Sequence, residues 1–198
     1  MPASWVDVAN SALIKIGVPI ISGFNDLNKA EKLTKARYRQ ARNIVLRLHV
    51  WNCAMKRDET APLASPVPAF GYEYFHAWPS DCLRIVDVGP EGVEFRVEGR
   101  RIATDETLLE LRYIREEDDP TLIDELCAEC IALYLAWDLC EAFQQTSEKK
   151  DMLWKDFQKM LPQAKSVDGK EEAAQEIQAD EWMESRLFNA GSALNRGS

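Results

Sequence analysis

The sequence predicts an α+β fold: a bundle of about four helices with a small antiparallel β-sheet inserted between the second and third, then an acidic helical extension. Three observations carry this expectation. Apolar residues recur every three or four positions over 4–48 and again over 120–161. Between those blocks, over 50–115, the period falls to two and prolines and glycines separate the runs. Beyond residue 165 acids outnumber bases and apolar anchors thin out.

The first helix is expected over 4–17, capped by Ser4 and closed by Gly17, with Val8, Ala12 and Ile16 as its stripe and Trp5 and Leu13 beside it. The second is expected over 25–48, where Leu27, Ala30, Thr34, Tyr38, Ala41, Val45 and Leu48 share a face and basic residues take the others. The β region follows over 50–115. Strict alternation marks "VEFRVE" (93–98) and "TLLELRYIR" (107–115), and "CLRIVDV" (82–88) is a further strand. "EGRR" (98–101) reads as a hairpin turn on Gly99, and proline-rich 61–68 as a loop. Asp119 and Pro120 are expected to open a third helix over 120–145, whose wide apolar face predicts a buried, central element. A fourth helix over 147–161 should kink or stop at Pro162. "VDG" (167–169) reads as a linker, so residues 1–165 form one domain and 166–198 an acidic extension ordered only on docking.

At 198 residues the chain is long enough to bury a core without covalent staples. Its longest apolar run, "CIALYLAW" (130–137), is far too short to span a bilayer, and the N-terminus lacks the pattern of a secretory leader. Five cysteines without framework spacing are expected to be reduced thiols. The net charge of −9 opposes general nucleic-acid binding, but it is unevenly spread. Residues 26–57 carry +7, residues 166–198 carry −4, and the middle carries −12. That asymmetry implies either internal pairing or head-to-tail contact between copies.

The motifs that point to chemistry are weak. "CAEC" (127–130) is a redox pattern only where it opens a helix; the expected boundary puts it two turns inside, as buried small residues. His49 with Cys53 and His76 with Cys82 lack the spacing of a zinc site. The acids of "REEDDP" (115–120) are expected as caps and dipole partners. There is no phosphate loop, dinucleotide fingerprint or nucleophile elbow, so no catalytic residue, cofactor or metal is assigned. The aromatics Tyr72, Tyr74, Phe75 and Trp78 suit base stacking, yet their alternation suits sheet packing better.

Several separated pieces, taken in order, are more specific. They are "NSALIKIG" (10–17), then Ala30, Tyr38 and Arg42, then "WNCAMKR" (51–57) and "GYEYFHAWPSDCLRI" (71–85). "FRVEGRRIAT" (95–104), the Tyr113 strand and "LYLAWDL" (133–139) complete the set. Over roughly residues 4–160 the chain resembles the tail tubular protein A family, the head-to-tail adaptors of short-tailed bacteriophages. It departs from the family at Trp78 before Pro79 and in the extension beyond Pro162. The resemblance implies a structural virion protein at the head–tail junction, assembled in the host cytoplasm. Its copies would form a ring, commonly of twelve, that joins the portal protein to the tail nozzle protein. DNA would pass through the ring without sequence-specific binding, and no membrane would be involved. On that footing Arg37, Arg39, Arg42 and Arg47 of the long helix, with Trp182 and Phe188 of the extension, are the candidate ring and portal contacts. Reversing the charges at Arg39 and Arg42 is expected to weaken assembly and leave the fold intact. The alternatives are a DNA-binding accessory protein using helix 25–48 and a small hydrolase acting through Glu117 or Asp118.

Overall fold

A computed structural model describes residues 4–171 other than 26, 91 and 144. Among these residues the chain is α+β, with four helices and six strands in the order α1, α2, β1 to β6, α3, α4. Helix α1 (Trp5–Lys15) starts where the Ser4 hydroxyl accepts from the Asp7 N–H at 3.2 Å. It ends at Gly17, whose positive φ of 69° lets the Val18 N–H turn back to the Leu13 carbonyl.

Helix α2 (Lys29–Arg47) begins four residues later than the apolar pattern suggests. The reason is a capping box: Asn28 accepts from the Glu31 N–H at 2.9 Å while the Glu31 carboxylate accepts from the Leu27 N–H at 3.0 Å. Leu27 therefore lies outside the helix and is 76% exposed, so it is not part of the stripe. Leu48, at the other end, is also exposed; Thr34, Tyr38, Ala41 and Val45 are buried as expected.

Helix α3 (Glu125–Leu139) also starts late. Asp119 with Pro120 caps only a single 3-10 turn (Pro120–Leu122), and Asp124 is the true cap, accepting from Leu126 N–H at 2.8 Å and Cys127 N–H at 3.2 Å. The helix packs on α1, α2 and α4 and is apolar almost all round, the mark of a central element. Helix α4 (Ser147–Glu171) corrects two expectations: it neither stops at Pro162 nor unravels at "VDG". Leu153, Phe157, Ala164 and Asp168 keep one buried stripe across the proline, and their packing outweighs the lost backbone bond. Residues 166–171 are thus part of α4; the remainder of the extension, including Trp182 and Phe188, lies outside the described residues.

The inserted β region forms two three-stranded antiparallel sheets rather than one. The first has the order β1 (Met55–Thr60), β6 (Leu109–Arg115), β3 (Cys82–Gly89); the second is β2 (Tyr74–Ala77), β5 (Arg101–Thr104), β4 (Phe95–Glu98). Glu98 pairs with Arg101 across the Gly99–Arg100 turn, with Gly99 at φ 62°. Ile102 of the second sheet packs with Leu109, Leu111, Tyr113 and Val88 of the first, forming a minor core between the sheets. The other face of the first sheet meets the bundle through Met55, Leu83, Val86 and Ile114, which join the main core.

The bundle has two distinct ends. Arg37 of α2 meets Asp138 near the end of α3, and Trp137 of α3 meets Trp154 early in α4, so neighbours run antiparallel. One end carries the 17–28 turn and Phe143. The other carries the sheets, where Arg47 reaches the Leu83 carbonyl and Lys165 the Leu48 carbonyl.

Candidate functional site

The arginines of α2 are satisfied inside the chain. Arg37 grips Asp138 with two bonds of 2.6 and 2.8 Å, and Arg39 grips Glu116 with two of 2.5 and 2.7 Å. Arg42, only 3% exposed, shares Glu116 at 2.5 Å, reaches Asp118 at 3.1 Å, and lies against the rings of Trp5 and Tyr38. The Trp5 indole N–H closes the cluster on the Asp118 carbonyl at 2.8 Å. Hydrogen bonding from Arg39 holds the Glu116 carboxyl down at about 2 against the opposing effect of its burial. Arg47 donates to the Leu83 carbonyl at 2.5 Å. The charge asymmetry along the chain is therefore expressed here as internal pairing. Arg42 is not available to a partner, and reversing its charge would break the fold rather than spare it. Arg39, with 74% of its side chain exposed, stays at the surface but with its fork occupied.

The same pairing accounts for the acidic cluster. Glu116 and Asp118 belong to the arginine seam, buried Glu117 pairs with Arg115 and accepts from the Asp119 N–H, and Asp119 caps the 3-10 turn. The carboxylates of the hydrolase alternative are thus both paired, Glu117 with Arg115 and Asp118 with Arg42. His49 bonds Asp168 at 2.9 Å. His76, fully buried, sets its two ring nitrogens 3.0 and 2.9 Å from the carbonyls of Thr60 and Glu106, stitching β2 to the chain on either side. The bonds of both histidines go to oxygen, and among the described residues no group of three His, Cys, Asp or Glu is arranged to hold a metal.

The aromatic stretch 70–78 is divided by the fold. Phe75 is buried, and the Trp78 indole donates to the Cys82 carbonyl at 3.0 Å. Asp81 joins the strands by accepting from Lys56 and from the Tyr113 hydroxyl, each at 2.9 Å. Burial pushes the Tyr113 hydroxyl up to about 12, so it acts as a donor and not as a base. These residues form no common stacking shelf.

What remains for recognition is at the two ends. At the sheet end, the loop between β1 and β2 is fastened by the Leu63 N–H on the Phe75 carbonyl at 2.7 Å and by a bridge between Pro62 and His76. Its tip presents Phe70, 90% exposed, with Val67 beside it. At the far end, Val18, Pro19, Ile20, Ala30 and Phe143 line an apolar groove of about 360 Å³, where Ile20 is 65% exposed. A larger open groove of about 690 Å³ crosses the first sheet and is lined by Arg57, Glu59, Asp87, Gly89, Glu110 and Arg112. The loop tip was legible as a loop, but nothing in a run of alternating small and apolar residues says which one escapes burial. The groove was not legible, because it joins residues from two turns more than a hundred positions apart.

With Asp124 as cap, Cys127 sits buried in the first turn of α3, and the half-buried Cys53 of the 3-10 turn Asn52–Ala54 packs against the same main core. No protein-family model matches the chain, and no curated protein matches it significantly.

Proposed function

We propose that the chain is a structural adaptor that assembles with copies of itself into a ring between the portal and tail nozzle of a short-tailed phage. The observation that carries this reading is the pair of unlike apolar surfaces at opposite ends of one chain: the Phe70 loop and the Ile20–Phe143 groove. Unlike surfaces on one subunit make heterologous contacts, which close into rings or stack subunits onto other rings. The ordered set of motifs from Asn10 to Leu139 supports the same reading by resemblance. The DNA-binding alternative needs arginines free to meet phosphates, whereas Arg37, Arg39 and Arg42 of α2 are matched to carboxylates and Arg47 to the Leu83 carbonyl. Among the described residues no helix is long and apolar enough to cross a membrane.

Electron microscopy of the chain mixed with its cognate portal protein tests the proposal. Rings stacked on the portal are the expected result. Failure to decorate the portal, together with a salt-dependent shift of free duplex DNA, would replace this reading with the accessory-protein one.

A further inference from the structure

We propose that strand β1 is a pairing edge that takes the β1 strand of a second copy, antiparallel, about a two-fold axis at Asp58. Among the described residues β1 lies at the margin of the first sheet and pairs with β6 alone. Which of its backbone groups face outward follows from β6. The Glu116 N–H, just past the end of β6, bonds the Asp81 carbonyl on the β3 side at 2.7 Å. Alternation then turns the backbone of Tyr113, Leu111 and Leu109 towards β1, where they meet Lys56, Asp58 and Thr60. Arg57 and Glu59 therefore present their N–H and C=O groups away from the sheet. The Glu59 N–H agrees with this direction, since its acceptor is the neighbouring Asp58 carboxylate at 3.0 Å. Residues 57–59 are exposed, while the chain on either side is tied down, Asn52 to Asp168 and the Thr60 carbonyl to His76.

The side chains select the register. Arg57 lies opposite Arg112 and Glu59 opposite Glu110, two like-charged pairs side by side on one face. Among the described residues none of these four side chains makes an ion pair, and all four line the open groove across that sheet. A lone chain thus carries a positive row and a negative row with neither one matched. The axis at Asp58 sets Arg57 opposite Glu59 of the second copy, and Glu59 opposite its Arg57. The outward backbone groups of these residues then exchange N–H···O=C bonds as hydrogen-bonded pairs. Each positive row runs on into the negative row of the other copy, and the two first sheets join edge to edge. Axes at Arg57 or Glu59 would set like charges face to face, so the strand admits one register.

Two features keep the contact weak and selective. The axis brings Asp58 against Asp58 of the second copy, and Asp58 already occupies the Glu59 N–H that pairing requires. Charges on an edge strand guard against indiscriminate strand addition, and here they leave the chain itself as the matching partner. The contact is isologous and uses neither the Phe70 loop nor the Ile20–Phe143 groove, so it does not rest on the adaptor reading.

Sedimentation equilibrium of the full chain at rising concentration, with amide hydrogen exchange on the same samples, tests the proposal. The expected result is a monomer–dimer equilibrium in which the Arg57 and Glu59 amides gain protection with concentration. Arg57→Glu and Glu59→Arg, each at an exposed position, should weaken the dimer about ten-fold. Mixing these two variants should restore association, because every facing pair between them is then opposite in charge. Asp58→Asn should tighten it. A chain still monomeric at about 1 mM would overturn the proposal. So would a dimer indifferent to both reversals, or a mixture no tighter than its components. Protection of the Glu59 amide independent of concentration would overturn it too, by showing the edge covered within one chain, for example by residues 172–198. The wild-type exchange measurement involves no substitution, so a folding defect in a variant does not affect it.

Discussion

At the scale of single residues the decisive quantity is how completely a charge is buried with its partners. Arg42 is 3% exposed and holds two carboxylates, so Arg42→Ala leaves Glu116 half-buried and half-paired. It should cost about 3 kcal/mol or more in a urea titration. Arg39→Ala removes an equally short bond from a side chain open to water and should cost clearly less. Glu116 also sets an acid limit. Its carboxyl titrates at about 2 in the fold against an ordinary 4.5, so the unfolded chain takes up the proton first as pH falls. Its stabilisation is complete above pH 4.5 and lost as pH drops through that interval towards 2. Acid titration followed by circular dichroism should show this fall, and Glu116→Gln should flatten it. None of the pairings was readable beforehand. A basic helix and an acidic run 70 positions apart announce attraction, and only proximity says that they attract each other.

At the scale of elements, caps and not apolar patterns placed the helix boundaries. The stripe of α2 continues in sequence through Leu27, but the Asn28–Glu31 box fixes the first turn, and a periodic pattern carries no information about that. At α3 likewise Asp124, not Asp119, sets the first turn, so "CAEC" begins inside that turn. Helix α4 shows the opposite case, a local breaker overruled by tertiary packing. Its last turns are pinned by Asp168 to Asn52 and His49. Asp168→Ala leaves the half-buried Asn52 N–H without its carboxylate partner and should cost about 1–2 kcal/mol. Hydrogen exchange should then show protection lost after Pro162 and kept before it. Pro162→Ala restores the missing backbone bond and should stabilise the chain by roughly 1–3 kcal/mol, measurable by the same urea titration. Strand β1 escaped the sequence reading because "MKRDET" shows no alternation. It is an edge strand with much of its length at the surface, so burial does not select its residues.

At the scale of the whole molecule, function is read from what the fold leaves uncovered. Phe70→Ser should alter monomer stability by no more than about 0.5 kcal/mol, because its ring is 90% exposed. If the loop is a contact, the same change should abolish or strongly weaken assembly on the portal, seen by electron microscopy or sedimentation. Ile20→Asp at the opposite end should act likewise.

The sequence by itself determined the class of fold and the order of its elements. Periodicity, glycine turns and helix formers are local properties, and each residue carries its own share of them. The tertiary structure decided the rest: which arginines are spent, which aromatic reaches water, and that the β region divides into two sheets. Each of those is a distance between residues far apart in the chain, fixed by packing of the whole core and encoded in no single segment.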